Sequence, residues 1–138
     1  MSASVANNCT ITTAAVSFGA YDPIATNAST ALNGSGSVTV KCTTGASAAV
    51  KLGQGSNADS GSAAAAPLRR MKETGSSNYL SYALYSDTNR STVWEGSTGV
   101  SHTGDGTATQ LTVYGQVASN QNVPAGSYSD TVVATVTF

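Results

Sequence analysis

The 138 residues fit one domain, and only 9% of them are charged, for a formal net charge of −1. No basic run or stripe offers itself to nucleic acid, and no apolar run approaches the ~18 residues of a membrane span. Ala, Ser, Thr, Gly and Val dominate, a composition that favours strands and is associated with exported surface and coat material rather than cytosolic enzymes.

In chain order, residues 2–12 carry Ala3, Val5, Cys9 and Ile11 in phase and predict a first strand, with Asn7-Asn8 as a bulge or bend. Residues 14–18 form a short second piece, closed by Gly19-Ala-Tyr-Asp-Pro23, because proline has no N–H for a central ladder. Residues 25–35 read as a polar loop. Residues 36–43 are a clean strand, Val38, Val40 and Cys42 inward against Ser37, Thr39 and Lys41, and residues 48–53 follow with Ala48, Val50 and Leu52 in phase. Residues 54–66, rich in Gly, Ser, Asn and Ala, predict a long mobile surface loop.

Residues 68–73 read as a short edge strand whose Arg69, Arg70 and Lys72 are solvated and discourage unwanted pairing. Residues 78–86 are a strong strand with Leu80, Tyr82 and Leu84 on one face. Residues 92–94 are a brief strand, residues 96–106 a glycine-rich loop, and residues 108–117 a strand with Leu111, Val113, Gly115 and Val117 inward. Residues 126–138 alternate once more, with Tyr128, Val132, Ala134, Val136 and Phe138 on one face and Asp130 as the polar exception there. The segment has no covering strand after it, and an apolar strand left uncovered is a place for a strand from another chain. Six to eight short strands without a convincing helix predict an immunoglobulin-like β-sandwich spanning residues 1–138.

Cys9 and Cys42 both lie in phase with the apolar side of their strands. They could bridge those strands or remain free buried thiols; a bridge would imply an oxidising compartment. Met1-Ser-Ala-Ser has neither the basic start nor the apolar segment of a secretion leader, so Met1 is expected to stand where a leader was removed. No catalytic constellation is visible. His102 is a lone histidine in a Ser/Thr/Gly loop, Asp22 and Asp105 sit in turns, and Asp59, Asp87 and Asp130 lack calcium-loop spacing. Nucleophile elbows, phosphate loops and Cys-x-x-Cys pairs are absent. The expectation is no enzyme, no cofactor and no metal. A sugar platform built from Trp94, Tyr79 and Tyr85 is the second reading, a carbohydrate- or surface-binding module, but core packing of those aromatics is favoured.

Taken together, several stretches carry a family likeness: Cys9-Thr-Ile11, Val16-Ser-Phe-Gly-Ala-Tyr-Asp-Pro23, Gly36-Ser-Val-Thr-Val-Lys-Cys42, Arg70-Met71, residues 79–87, Val93-Trp94, Val113-Tyr-Gly115 and residues 126–131 with the closing Thr137-Phe138. In this order and spacing the chain resembles the spore coat protein U domain, which is also the pilin fold of archaic chaperone–usher pili. The resemblance implies an immunoglobulin-like sandwich lacking its last strand, with a Cys9–Cys42 disulfide. It implies a hydrophobic groove between the first and last strands, here assigned to Val5, Val132, Ala134, Val136 and Phe138. A periplasmic chaperone would fill the groove first, and a sister subunit's N-terminal extension would replace it at an outer-membrane usher. The implied function is a structural subunit of a surface fibre serving adhesion or biofilm, secreted through the periplasm; a spore or cell coat assembled without an usher is the other setting. Only eight residues precede Cys9, and they read as first-strand residues. The donor extension is therefore expected to be largely absent, with strand swapping or self-association at the open edges.

Overall fold

The computed structural model describes residues 1–138. Alternating small and β-branched residues generate nine strands and one short 3-10 turn at Thr26–Ala28. The strands are β1 (Cys9–Ser17), β2 (Leu32–Cys42), β3 (Ser47–Leu52), β4 (Arg69–Glu73), β5 (Tyr79–Tyr85), β6 (Val100–Thr103), β7 (Ala108–Val117), β8 (Tyr128–Ser129) and β9 (Ala134–Thr137). They form a six-stranded sheet in the order β1-β2-β7-β5-β4-β8 and a three-stranded sheet in the order β6-β3-β9. Every pairing is antiparallel.

Period-two alternation places the core. Val38, Val40 and Cys42 of β2, Ala48, Val50 and Leu52 of β3, Leu84 of β5 and Val113 of β7 are buried together with Trp94. They come from the facing sides of both sheets, which is how a sandwich buries apolar area that neither sheet could bury alone. Trp94 anchors the centre. It is 2% exposed, and its indole Nε1–H donates to the Val50 carbonyl at 2.9 Å, so the one polar atom of the ring is satisfied inside the core. The aromatic sugar platform of the sequence reading cannot form around it.

Cys9 and Cys42 lie directly opposite each other across β1 and β2 and are joined by a disulfide. The bridge closes a loop with a sequence separation of 33. Chain-entropy arguments give such a closure roughly 3–4 kcal/mol. The double variant C9S/C42S is therefore expected to unfold at markedly lower urea, by about that free energy, with a steeper denaturant slope because the unbridged unfolded chain is more expanded.

Several elements differ from the sequence reading: β2 begins at Leu32, inside the expected loop 25–35, and the strand expected at 92–94 is a single bridge between Val93 and Tyr85. The first strand starts at Cys9 instead of residue 2, and residues 1–8 are exposed and outside the ladder. The two pieces expected at 2–12 and 14–18 are one strand, β1, with a register shift between Ala14 and Ser17. That shift brings the β1 backbone against Gly36, where a Cβ would lie 2.6 Å from the Ala14 carbonyl oxygen. The glycine-rich stretch 96–106 contains β6, which pairs with β3; a four-residue strand with one apolar residue, Val100, is made by its partner rather than by its own pattern. β4 is not an edge strand. It lies between β5 and the two-residue β8, and its first residue, Arg69, points into the protein.

Candidate functional site

The two sheets share no hydrogen-bonded strand pair, although β1 and β9 approach each other. β1 pairs only with β2, and β9 pairs only with β3, so each presents one row of main-chain N–H and C=O groups without a strand partner. Beside the β1 edge lies a cleft of about 1160 Å³, which reaches β9 only at its first residue, Ala134. Its walls come from residues 13–18 of β1 and its continuation, and from residues 128–134. Its floor is the core itself, since Val38, Leu80, Leu84, Val113 and Val117 are all buried residues that also line the cleft. A sandwich whose core is reached through a slot beside an open edge is one strand short of closure.

Phe18 sits at one wall. Its ring meets Tyr82 edge-on, with centroids 6.0 Å apart, and lies over two glycines of adjacent strands. A Cβ on Gly115 would fall 2.8 Å from two Phe18 ring atoms and from Val16, and one on Gly34 would fall 2.9 Å from the same ring. The glycines are the seat of the aromatic ring. Gly115→Ala is expected to cost about 1–3 kcal/mol through overpacking, read as a shift in urea midpoint. Phe18→Leu in the same chain should recover part of that loss.

Asp130 explains why the last segment is two strands. Its side chain turns inward at the break between β8 and β9 and is fully engaged. Oδ1 accepts from the Ser56 N–H at 3.0 Å, the Asn57 N–H at 3.1 Å and the Asn57 side-chain amide at 2.9 Å. Oδ2 accepts from the Tyr82 hydroxyl at 2.6 Å. Gly55 makes room for this carboxylate, with φ +88° and no space for a Cβ beside Asp130. Burial, and then the bond to Asp130, push the Tyr82 hydroxyl far above the usual tyrosine range, so it acts only as a donor. Beneath it, burial lowers the Arg69 guanidinium from its ordinary value, opposed by the neighbouring Tyr82, Asp130 and Glu95. The cleft is thus mainly apolar, with Asp130 as its one charged station, and no group of three or more metal-ligating side chains gathers there.

Of the residues assigned to the groove from the sequence, Val132 and Ala134 line it. Val136 lies on β9 opposite Val50 and packs against the core. Val5 and Phe138 lie outside the lining. Val5 precedes β1 and is 87% exposed, and Phe138 follows the last residue of β9 and is 57% exposed. The sequence reading placed no groove residue on 13–18, because it broke β1 at that point. It also missed Tyr82 as a wall residue, although its phase with Leu80 and Leu84 already put it on the inner face. Arg70 is the one arginine of the pair that reaches solvent, with an ion pair to Asp59 at 2.9 Å and a stack 4.0 Å above the Tyr79 ring.

A family model for the Spore Coat Protein U domain matches residues 1–135. The chain belongs to the spore coat protein U family. Among its relatives, Protein U of Myxococcus xanthus is 44% identical over 144 residues, an alignment covering 99% of this chain and 80% of that protein. Among solved structures, the fold is similar to one in the crystal structure of the CsuC–CsuE chaperone–tip adhesion subunit pre-assembly complex from archaic chaperone–usher Csu pili of Acinetobacter baumannii. The TM-score is 0.66 at 21% identity, covering 97% of this chain. This chain spans 40% of the length of that solved chain, and at such identity the likeness speaks for the fold alone. Within the spore coat protein U family, then, the open-edged sandwich with its Cys9–Cys42 staple is the architecture this chain brings to its function.

Proposed function

We propose that this protein is a non-catalytic structural subunit of a secreted surface fibre or coat, completed by a strand donated from another polypeptide. The observation that carries the proposal is the cleft between the unpaired edge of β1 and the segment that leads from β8 into β9, floored by the core. An incoming strand laid there would pair its main chain with the β1 edge and set alternate side chains into the apolar floor, so affinity comes from the ladder and register from the pockets. Val132 and Ala134 are the β9-side contacts, while Val136 packs that edge against the core. Val5 belongs to a donor rather than to the wall. Residues 1–8 are exposed, are tied to the body at Asn8 by bonds with Thr43, and carry Met1, Ala3 and Val5 at alternate positions, which is the pattern of a segment able to occupy a sister subunit's cleft.

In this reading a periplasmic chaperone holds the cleft during transit and an outer-membrane usher exchanges it for a sister subunit, with the cell surface as the destination. Support for that route is the family and the fold shared with a subunit solved in a chaperone complex. No helix of the chain is long and apolar enough to cross a membrane. The deciding test is a strand supplied in trans: the thermal midpoint rises if the cleft accepts it, and an unmoved midpoint removes the basis for strand donation.

A further inference from the structure

The outer face of the six-stranded sheet has a charge pattern that the cleft does not use. Register pairing fixes which side chains share that face: Thr10 with Lys41, Ala83 with Gln116, Tyr85 with Tyr114, Arg70 with Ser81, and Lys72 with Tyr79. Every outward position of β1, β2, β7, β5 and β4 is Thr, Ser, Asn, Gln, Ala, Tyr, Lys or Arg, and none is Asp or Glu. Of the six Lys and Arg residues in a chain of net charge −1, Lys41, Arg70 and Lys72 point from this face. A fourth, Arg90, folds back onto it, with its guanidinium 5.6 Å from the Tyr114 ring centroid.

The seven carboxylates are engaged elsewhere. Asp59 pairs with Arg70. Asp22, Asp87, Glu95 and Asp105 accept from main-chain N–H groups of their own turns. Glu73 accepts from Ser76 and Asn78, and Asp130 lies in the cleft. The Arg70–Asp59 contact is the single ion pair of the chain. Lys41 and Lys72 are exposed without a carboxylate partner, and Arg90 donates only to the carbonyls of Gly115 and Thr88. A face whose strand positions carry no acid, and on which Lys41, Lys72 and Arg90 have no carboxylate partner, complements a polyanion.

From this charge complementarity we propose that the face binds an extended acidic polysaccharide. In strand register, Lys41, Arg90 over Tyr114, and Lys72 fall on a diagonal with steps of about six residues, roughly 20 Å each at the rise of a β-strand. Steps of that size exceed the screening length of ~8 Å at physiological salt, so each cation acts as a separate contact. Separate contacts suit a polymer whose charges are spaced by sugar rings. They do not suit a duplex, which presents a charge every ~1.7 Å and is held by dense phosphate neutralisation. Between the cations the face offers what sugar hydroxyls and ring faces need. Tyr79, Tyr85 and Tyr114 supply aromatic surface, and the side-chain amides of Gln110 and Gln116 are already ordered by bonds to Ser37 and Asn33. Lys41 and Lys72 do not line the cleft, so this surface is independent of strand donation.

The test uses the whole protein on immobilised polygalacturonate at low ionic strength, with dextran, poly-glutamate and duplex DNA as parallel probes. Salt-sensitive binding to polygalacturonate is expected, and it should weaken roughly tenfold or more in K41E/K72E. K51E, whose site lies on the other sheet, should bind as the parent does. Melting curves of both variants check that the fold is intact. Absence of polygalacturonate binding overturns the proposal, as does equal binding by K41E/K72E. Dextran bound as well as polygalacturonate removes the role of charge. Poly-glutamate or DNA bound as tightly removes the assignment to a polysaccharide.

Discussion

Addition of a strand-length peptide should raise the thermal midpoint of this protein by roughly 10 °C. The reasoning is linkage. A ligand that binds only the folded state at about 100 times its Kd adds about 2.7 kcal/mol. For a domain of this size each kilocalorie per mole moves the midpoint by about 3–4 °C. A peptide of about ten residues alternating Val or Ala with Ser or Thr meets both demands of the cleft. Its main chain can pair with the unpartnered edge of β1, and its apolar side chains can reach the floor formed by Val38, Leu84 and Val113. A scrambled peptide of the same composition keeps the hydrophobicity and loses the alternation, so it should leave the midpoint within error.

The wall residue gives the second arm of that experiment. Val132 lines the cleft and is only partly buried, so Val132→Asp should fold and yet abolish the peptide shift. Val93→Asp, at a residue 43% exposed and outside the cleft, should respond like the parent. Scanning calorimetry or a dye-based melt reads all four cases. If Val132→Asp responds as strongly as the parent, the peptide acts somewhere else.

Where the pattern was strictly periodic, local sequence was enough to locate the fold. Residues 36–43, 48–53, 78–86 and 108–117 alternate cleanly and correspond to the core-facing parts of β2, β3, β5 and β7. The cysteines were in phase with the same interior, and the register opposes them directly. Misreadings arose where a non-local partner overrides the local pattern. The strand β6 exists because β3 offers it a ladder. The last segment alternates from end to end, yet Asp130 is drawn to Ser56, Asn57 and Tyr82, contacts 48 to 74 residues away in sequence, and the strand breaks there. Val5 shares the parity of Cys9 and Ile11, but parity alone cannot tell a strand from an extended segment with no neighbour. The cleft itself was legible only as an absence, an apolar strand without a cover. Its walls at 13–18 depended on the register shift opposite Gly36, which no spacing rule announces.

Arg69→Ala should destabilise the protein by about 3–5 kcal/mol, the range in which loss of a buried hydrogen-bonded charge network falls. From residue type alone it looked like one member of a solvated cationic edge, but it is 2% exposed. Its Nε donates to the Gly53 carbonyl at 2.9 Å, and one terminal nitrogen donates to Leu52 at 3.0 Å and to Trp94 at 2.8 Å. These carbonyls belong to the end of β3 and to the segment that carries the buried indole. The guanidinium therefore ties the large sheet to the small one just where the sandwich lacks a closing strand. Removing it leaves three carbonyls without their donor, at about 1–3 kcal/mol each before relaxation and water entry. Arg69→Lys keeps the charge but not the planar fork, and should recover only part of the loss. Arg70→Ala, one position along, removes a partly exposed ion pair and should cost no more than about 1 kcal/mol. Urea unfolding at constant slope separates the two cases. Equal and small losses would mean that the sandwich is held closed at this end by apolar packing alone.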